Sequence, residues 1–244
     1  TDIADMVTRK LVVMFQDQKG TAPVPFAWAA CGSQGRREQT GVSDQDNCLI
    51  IDSSASDQDM AYFQAMAKYV CDGLHTCGYV YCPGDMMAMT DRWCQKVDVW
   101  QDYFASWIAT PDTQAQMLAS VMFDLRVISG DNTLLETLHS RALEAAKDNS
   151  IFVAHMIANS LKHAPPLGLL RGLATIKSGE HRNRIDMKHA GVVPIVDLGR
   201  VYALQGQLSP VNTRARIEDA RASGLISKSG GDDLLAAYDT IATA

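Results

Sequence analysis

The stretch CGSQGRREQTGVSDQDNCLIID, Cys31 to Asp52, sets a Gly-Ser turn, two adjacent arginines and an Asp-x-Asp pair between two apolar runs. The run before it, PVPFAWAAC, begins with Pro23 and Pro25, which exclude helix, and its apolar remainder predicts a short buried strand. The run after it, NCLIID, predicts a second strand. A strand that ends in Gly32-Ser33 can turn sharply, and a helical turn starting there would aim backbone N–H groups at an anion such as phosphate. Arg36 and Arg37 can supply charge to phosphate oxygens. Asp44 and Asp46 stand at the mouth of the second strand, where residues i and i+2 share a face, so both carboxylates can converge on one cation. Hard oxygen donors favour Mg²⁺ completed by substrate phosphates. An isolated Asp-x-Asp reads as an ordinary polar turn. Its combination with the Gly-Ser turn and two flanking strands is the rarer pattern.

Outward from this stretch, Ile3, Met6, Val7, Leu11 and Met14 recur at helical spacing and predict an opening helix over 3–17. Ser53 to Asp59 is a polar break, after which Met60, Phe63, Ala67, Val70 and Leu74 predict a helix stopped by Gly78. YVYC, Tyr79 to Cys82, predicts a third strand cut off by Pro83-Gly84. Trp93, Trp100 and Trp107 recur every seven residues with Val97 and Phe104 between them, a helix stripe facing a core in preference to a platform for stacked bases. From Pro111 the pattern is helical, over 112–128, 133–147, 151–162, 194–205, 213–223 and 231–242. Strands confined to the first half predict an α+β domain over residues 1–130 and an all-helical domain over 131–244, with the boundary at Gly130-Asp131.

With 244 residues and 47% apolar content, the chain can build a sizeable core. A net charge of −6 leaves no basic excess for bulk nucleic-acid binding. The six cysteines, at 31, 48, 71, 77, 82 and 94, form no CxxC pair and no zinc-ligand spacing, and read as buried reduced thiols of a cytoplasmic protein. No apolar run is long enough to span a membrane, and the opening TDIADMVTRK carries acids where a signal peptide carries positive charge. A start at Thr1 and an end inside a helical pattern suggest a fragment of a longer protein.

In order and spacing, an apolar strand, Gly-Ser, a ten-residue gap, Asp-x-Asp and a second strand resemble the fingerprint of the DNA polymerase β nucleotidyltransferase superfamily. More narrowly, GSQGRREQTGVSDQDN, YCPGDMMA, FDLRVISGD, LKHAPPLGLL, KSGEHRNRIDMKHAG, PIVDLGRVYAL and NTRARI resemble the bacterial signal-transduction nucleotidyltransferases. These are relatives of protein-PII uridylyltransferase, often preceded by cyclic-nucleotide-binding and CBS domains. The resemblance covers nearly the whole chain and implies a nucleotidyltransferase domain with a small mixed sheet, then a helical substrate-binding domain.

By that resemblance, Gly32 and Ser33, with Arg36 and Arg37, would hold the phosphates of an NTP, and Asp44 and Asp46 would ligate Mg²⁺, two ions in all. An acceptor, protein or small molecule, would attack the α-phosphate of UTP or ATP and release pyrophosphate. The superfamily adds a third carboxylate from a later strand; Asp85 is the first candidate here and Asp124 the second, Asp124 with Arg126 reading equally well as a structural ion pair. In KSGEHRNRIDMKHAG, Lys177, Arg182, Arg184 and Lys188 would contact the triphosphate or the acceptor. Asp186 reads alternatively as the partner of a neighbouring base, and Asp197 with Arg200 as a helix-surface pair. Gln45 and Asn47 occupy positions that are usually apolar in the wider superfamily. A chain without the third acid would be a regulatory module that binds nucleotide without transferring it.

Overall fold

In the computed structural model the described residues are 1–40, 43–147, 149–162, 175–176, 178–180 and 182–242. The chain is mixed α+β and divides into two compact units, 1–108 with 117–145, and 109–116 with 146–244. Among the described residues, no helix is long and apolar enough to cross a membrane.

The first unit is built on a four-stranded sheet in the order β3-β2-β1-β4. β1 (Phe26–Ala30) and β2 (Asn47–Ile51) are antiparallel, with Trp28 opposite Leu49 and Ala30 opposite Asn47. Every residue of both strands is buried, as the apolar runs Phe26–Ala30 and 48–51 require of central strands covered on two faces. Phe26, Trp28, Ala30, Leu49, Ile51 and Ile128 pack with Val12 and Phe15 of α1 (Asp2–Lys19) and Phe63, Met66 and Val70 of α3 (Asp57–Thr76) in one core. Ser56 begins α3 with a capping box, its hydroxyl accepting from the Asp59 N–H while the Asp59 carboxylate accepts from the Ser56 N–H.

Two elements differ from the sequence expectation. YVYC does not form a strand: Tyr81 makes a single bridge to Gln45, and the parallel neighbour of β2 is β3 (Cys94–Lys96). Pro83-Gly84 breaks the chain too soon after Tyr81 for a ladder to extend. The helix expected over 112–128 ends at Met122 as α5 (Thr113–Met122), and Arg126–Gly130 forms β4, antiparallel to β1. The strands are therefore not confined to the first half. Phe123, Leu125 and Val127 alternate with Asp124 and Arg126 there, a period of two masked by the helical rhythm before it.

The tryptophan stripe is core, although Trp93 sits in a 3₁₀ turn (Asp91–Trp93) ahead of the helix that carries the other two. Trp93, Trp100 and Trp107 are buried, and the Trp100 indole N–H, on α4 (Val97–Ala109), donates to the Leu49 carbonyl at 2.9 Å. Five cysteines are buried as expected; Cys77, just past α3, is exposed. α6 (Asn132–Lys147) completes the first unit apart from its last residues, Ala146 and Lys147. In the second unit, α7 (Ser150–Ser160), α8 (Val193–Gly206), α9 (Thr213–Ala222) and α10 (Lys228–Ala242) fall on the expected helical segments. Ile195, Ile217 and Leu235 form a small core there.

Candidate functional site

The tetrapeptide Asp44-Gln45-Asp46-Asn47 leads into β2 with its two amides buried and its two acids half-buried. Gln45 is 1% exposed and Asn47 2%, so each must have its polar atoms satisfied inside the protein. Gln45 Nε2 donates to the carbonyls of Cys71 and Tyr79, both at 3.0 Å. Asn47 Nδ2 donates to Gln45 Oε1, and Asn47 Oδ1 accepts the Ala88 N–H at 2.9 Å and the Cys71 thiol at 3.4 Å. Their backbone N–H groups donate to Val80 and Met86, again at 3.0 Å. The polar residues at normally apolar positions thus form a latch that fixes the connection 79–88 along the entrance to β2. In effect, side-chain amides replace the missing ladder of YVYC.

The latch has a chemical result. It brings Cys82 beside the acids, and one carboxylate oxygen each of Asp44 and Asp46 and the Cys82 sulfur all lie within 4.8 Å of one another. Burial, then a hydrogen bond to Asp46, pushes the Cys82 thiol up to about 11. Two carboxylates and a sulfur at this spacing suit a divalent cation. Asp85, the expected third acid, is not in this donor set. It sits at φ 53° in the turn that follows, its N–H donating to the Cys82 carbonyl at 3.1 Å.

The Gly-Ser turn borders the same acids. The Cys31 N–H donates to the Asp46 carbonyl at 3.0 Å, and α2 (Gly32–Gly35) begins immediately after. Gly32 has φ +57°, and a Cβ on it would lie 3.0 Å from Asp46 Oδ2. At Gly35 a Cβ would lie 2.0 Å from the Asp124 carbonyl oxygen and 2.9 Å from that of Ala30. Only glycine lets the turn sit this close to Asp46 and to the segment before β4. Ser33 is half-buried beside it, its carbonyl accepting the Glu38 N–H at 2.8 Å.

The two arginines have different surroundings. Arg36 donates to Asp124 at 2.6 Å and to Glu38 at 2.8 Å, and Asp124 is 0% exposed. Burial disfavours the Arg36 charge, but Asp124 and Glu38 outweigh it and raise the guanidinium pKa. Arg37 is exposed at φ 63° and pairs loosely with Asp2 at 3.3 Å. Arg126 makes a two-pronged pair with Asp5 of α1, at 2.7 and 3.1 Å, and donates to the carbonyls of Gln34 and Gly35. The sequence offered Asp124 either as a second candidate third acid or as the ion-pair partner of Arg126; the pairs given by the structure are Asp124 with Arg36 and Arg126 with Asp5. Together these pairs brace α2 from beneath.

In the second unit, Lys177 lies outside the described residues, while Arg182, Arg184 and Lys188 are all exposed. The Ile176 N–H donates to the Arg184 carbonyl at 2.8 Å, and the Ile176 carbonyl accepts the Asn183 N–H at 2.9 Å. Lys188 opens a π-helical turn, Lys188–Val192, of the kind found at functional positions. Asp186 does take a basic neighbour, His189, at 3.0 Å. Asp197 and Arg200 pair at 2.6 Å, but Arg200 is buried, so this is an interior contact and not the surface pair its spacing suggested.

Sequence reasoning missed Cys82, Glu38 and the latch. The signal for the latch was the alternation Asp-Gln-Asp-Asn itself, polar on both faces of a strand whose remaining residues are apolar.

Two family models match this chain. Residues 1–114 match the one described as "Putative nucleotidyltransferase DUF294", and residues 150–244 the one described as "Putative nucleotidyltransferase substrate binding domain". No curated protein matches the chain.

Proposed function

We propose, because the chain belongs to the nucleotidyltransferase family that these two models describe, that it moves a nucleoside monophosphate from UTP or ATP to a protein or small-molecule acceptor in signal transduction, as protein-PII uridylyltransferase does. The observation that carries this reading is the convergence of Asp44 and Asp46 beside the Gly32-Ser33 turn. Bound Mg²⁺, as one ion or two, would neutralise the charge that develops on the phosphates. Asp44 and Asp46 would hold it. The N–H groups of the Gly32-Ser33 turn would face the triphosphate, and exposed Arg37 is free to swing toward it where paired Arg36 instead holds the turn in shape. Arg182, Arg184, Lys188 and Lys177 of the second unit would meet the triphosphate or the acceptor, and Asp85 would take the acceptor's proton. Positioning and charge neutralisation supply most of the rate in such transfers.

The test combines a thermal-shift panel of the four NTPs, with and without Mg²⁺, and a pyrophosphate-release assay with candidate acceptors. Asp44→Asn with Asp46→Asn should abolish Mg²⁺-dependent transfer while circular dichroism stays native. Transfer that survives this double change would sink the proposal. The second reading, a regulatory module that binds without turnover, is favoured by the thiol that stands in the donor set where a third acid was expected. It predicts saturable Mg²⁺-dependent shifts and no pyrophosphate.

A further inference from the structure

We propose that Cys82 is the third ligand of this site, so that in addition to Mg²⁺ it takes a borderline-soft divalent ion such as Zn²⁺ or Cd²⁺ through one thiolate and two carboxylates. The inference rests on the reading of Asp44 and Asp46 as ion ligands given above.

Three observations carry it. The donor atoms of Asp44, Asp46 and Cys82 lie within 4.8 Å of one another, the span that a single ion bridges. The sulfur is held there: Gln45 and Asn47 clamp residues 79, 80, 86 and 88 on either side of Cys82, and the Cys82 carbonyl accepts the Asp85 N–H. The site is also graded in wetness, because Asp44 and Asp46 are half-buried while Cys82 is buried, and a sulfur shielded from water contributes more to a metal bond than an exposed one.

The chemistry then separates two classes of ion. Mg²⁺ demands hard oxygen donors and keeps several waters, so it would use the two carboxylates and substrate phosphates and leave the thiol protonated. Zn²⁺ and Cd²⁺ accept sulfur, and with them the sulfur–metal bond forms as the thiol proton leaves to solvent. An ion held by Cys82 would occupy the carboxylates that Mg²⁺·NTP needs. The site would thereby be closed to nucleotide by a thiophilic metal without any change of fold.

Cd²⁺ titration of the metal-free full chain, followed by the ultraviolet thiolate-to-cadmium absorption, tests this without any enzymatic readout. The wild type and Cys77→Ser, which removes the exposed cysteine, should show the band at saturation with one ion per chain. Cys82→Ser should lose it, and Asp46→Asn, with every thiol intact, should weaken Cd²⁺ at least about tenfold. A band that persists in Cys82→Ser, or one that is unaffected by Asp46→Asn, overturns the proposal. Circular dichroism confirms that each variant folds, and Asp46→Asn keeps the test decisive if Cys82→Ser does not. If the band follows Cys82 and Asp46 but Mg²⁺·NTP gives no thermal shift, the nucleotidyltransferase reading fails and the metal inference stands. If Mg²⁺·NTP shifts the wild type and no cadmium band appears, the metal inference fails alone.

Discussion

Asp5 is a buried carboxylate whose charge depends on an arginine far away in sequence. Burial raises its pKa, but hydrogen bonds from Arg126 and Gln34 and the charges of Arg126 and Arg9 outweigh burial and hold it below the ordinary carboxylate value. A depressed folded pKa contributes stability above the unfolded value and loses it as pH falls through the folded one. Asp5→Ala, which leaves Arg126 without its carboxylate, should therefore cost about 3 kcal/mol near neutrality. Urea denaturation of wild type and variant should show the gap narrowing steadily below the ordinary carboxylate range. Gly35→Ala offers a second measurement at this scale. Its Cβ would meet two carbonyl oxygens, at 2.0 and 2.9 Å, neither of them on a side chain that can move aside. A loss of about 3 kcal/mol is expected from such overpacking, read from the same denaturation curves. Among single residues, the nearness of Asp44 and Asp46 was legible because two residues apart in the segment leading into β2 is a local relation. Cys82 was not, since its place beside them depends on the amides of Gln45 and Asn47 reaching across the fold.

At the scale of elements, the latch makes its own prediction. Asn47→Leu removes the acceptor for the buried Ala88 N–H and for the Cys71 thiol, and should cost about 2 kcal/mol. Hydrogen exchange at Ala88 should accelerate by more than at the amides of β1, because the connection 79–88 loosens before the sheet does. Trp100→Phe should cost about 2 kcal/mol by losing the bond to the Leu49 carbonyl and part of a buried ring, measured by thermal denaturation. The elements that sequence reasoning found share a property: β1, β2 and the long helices each carry an unbroken pattern of one period. YVYC looked like a strand from composition, yet pairing is a property of two segments, and its contact with the Gln45 backbone is limited to one bridge at Tyr81 and the Gln45 N–H bond to Val80 before Pro83 ends the run. β4 was hidden because α5 and the strand after it are both apolar, and the change of period between Met122 and Arg126 spans too few residues to stand out.

For the whole molecule, the path of the chain matters as much as its two cores. Residues 109–116 group with the second unit, while residues on both sides of them group with the first, so the polypeptide changes unit at 108/109, 116/117 and 145/146. α5 itself is divided, with Gln116 bonded to His155 at 3.0 Å while Leu118, Ala119 and Met122 are buried farther along the helix. A chain ended after Ala145 would lack His155, so limited proteolysis should cut such a chain within 109–116 at sites that the full chain protects. Helix-by-helix reading of the sequence identified these segments and drew a single boundary at Gly130-Asp131, whereas membership of a compact unit depends on contacts distant in sequence. The same path constrains how such a gene can change. Modules that shuffle freely between genes enter and leave the fold once, at a single seam. Here a recombination point anywhere from codon 109 to codon 145 would deliver to one product a segment folded for the other, so the segments matching the two family models are expected to be inherited as one block.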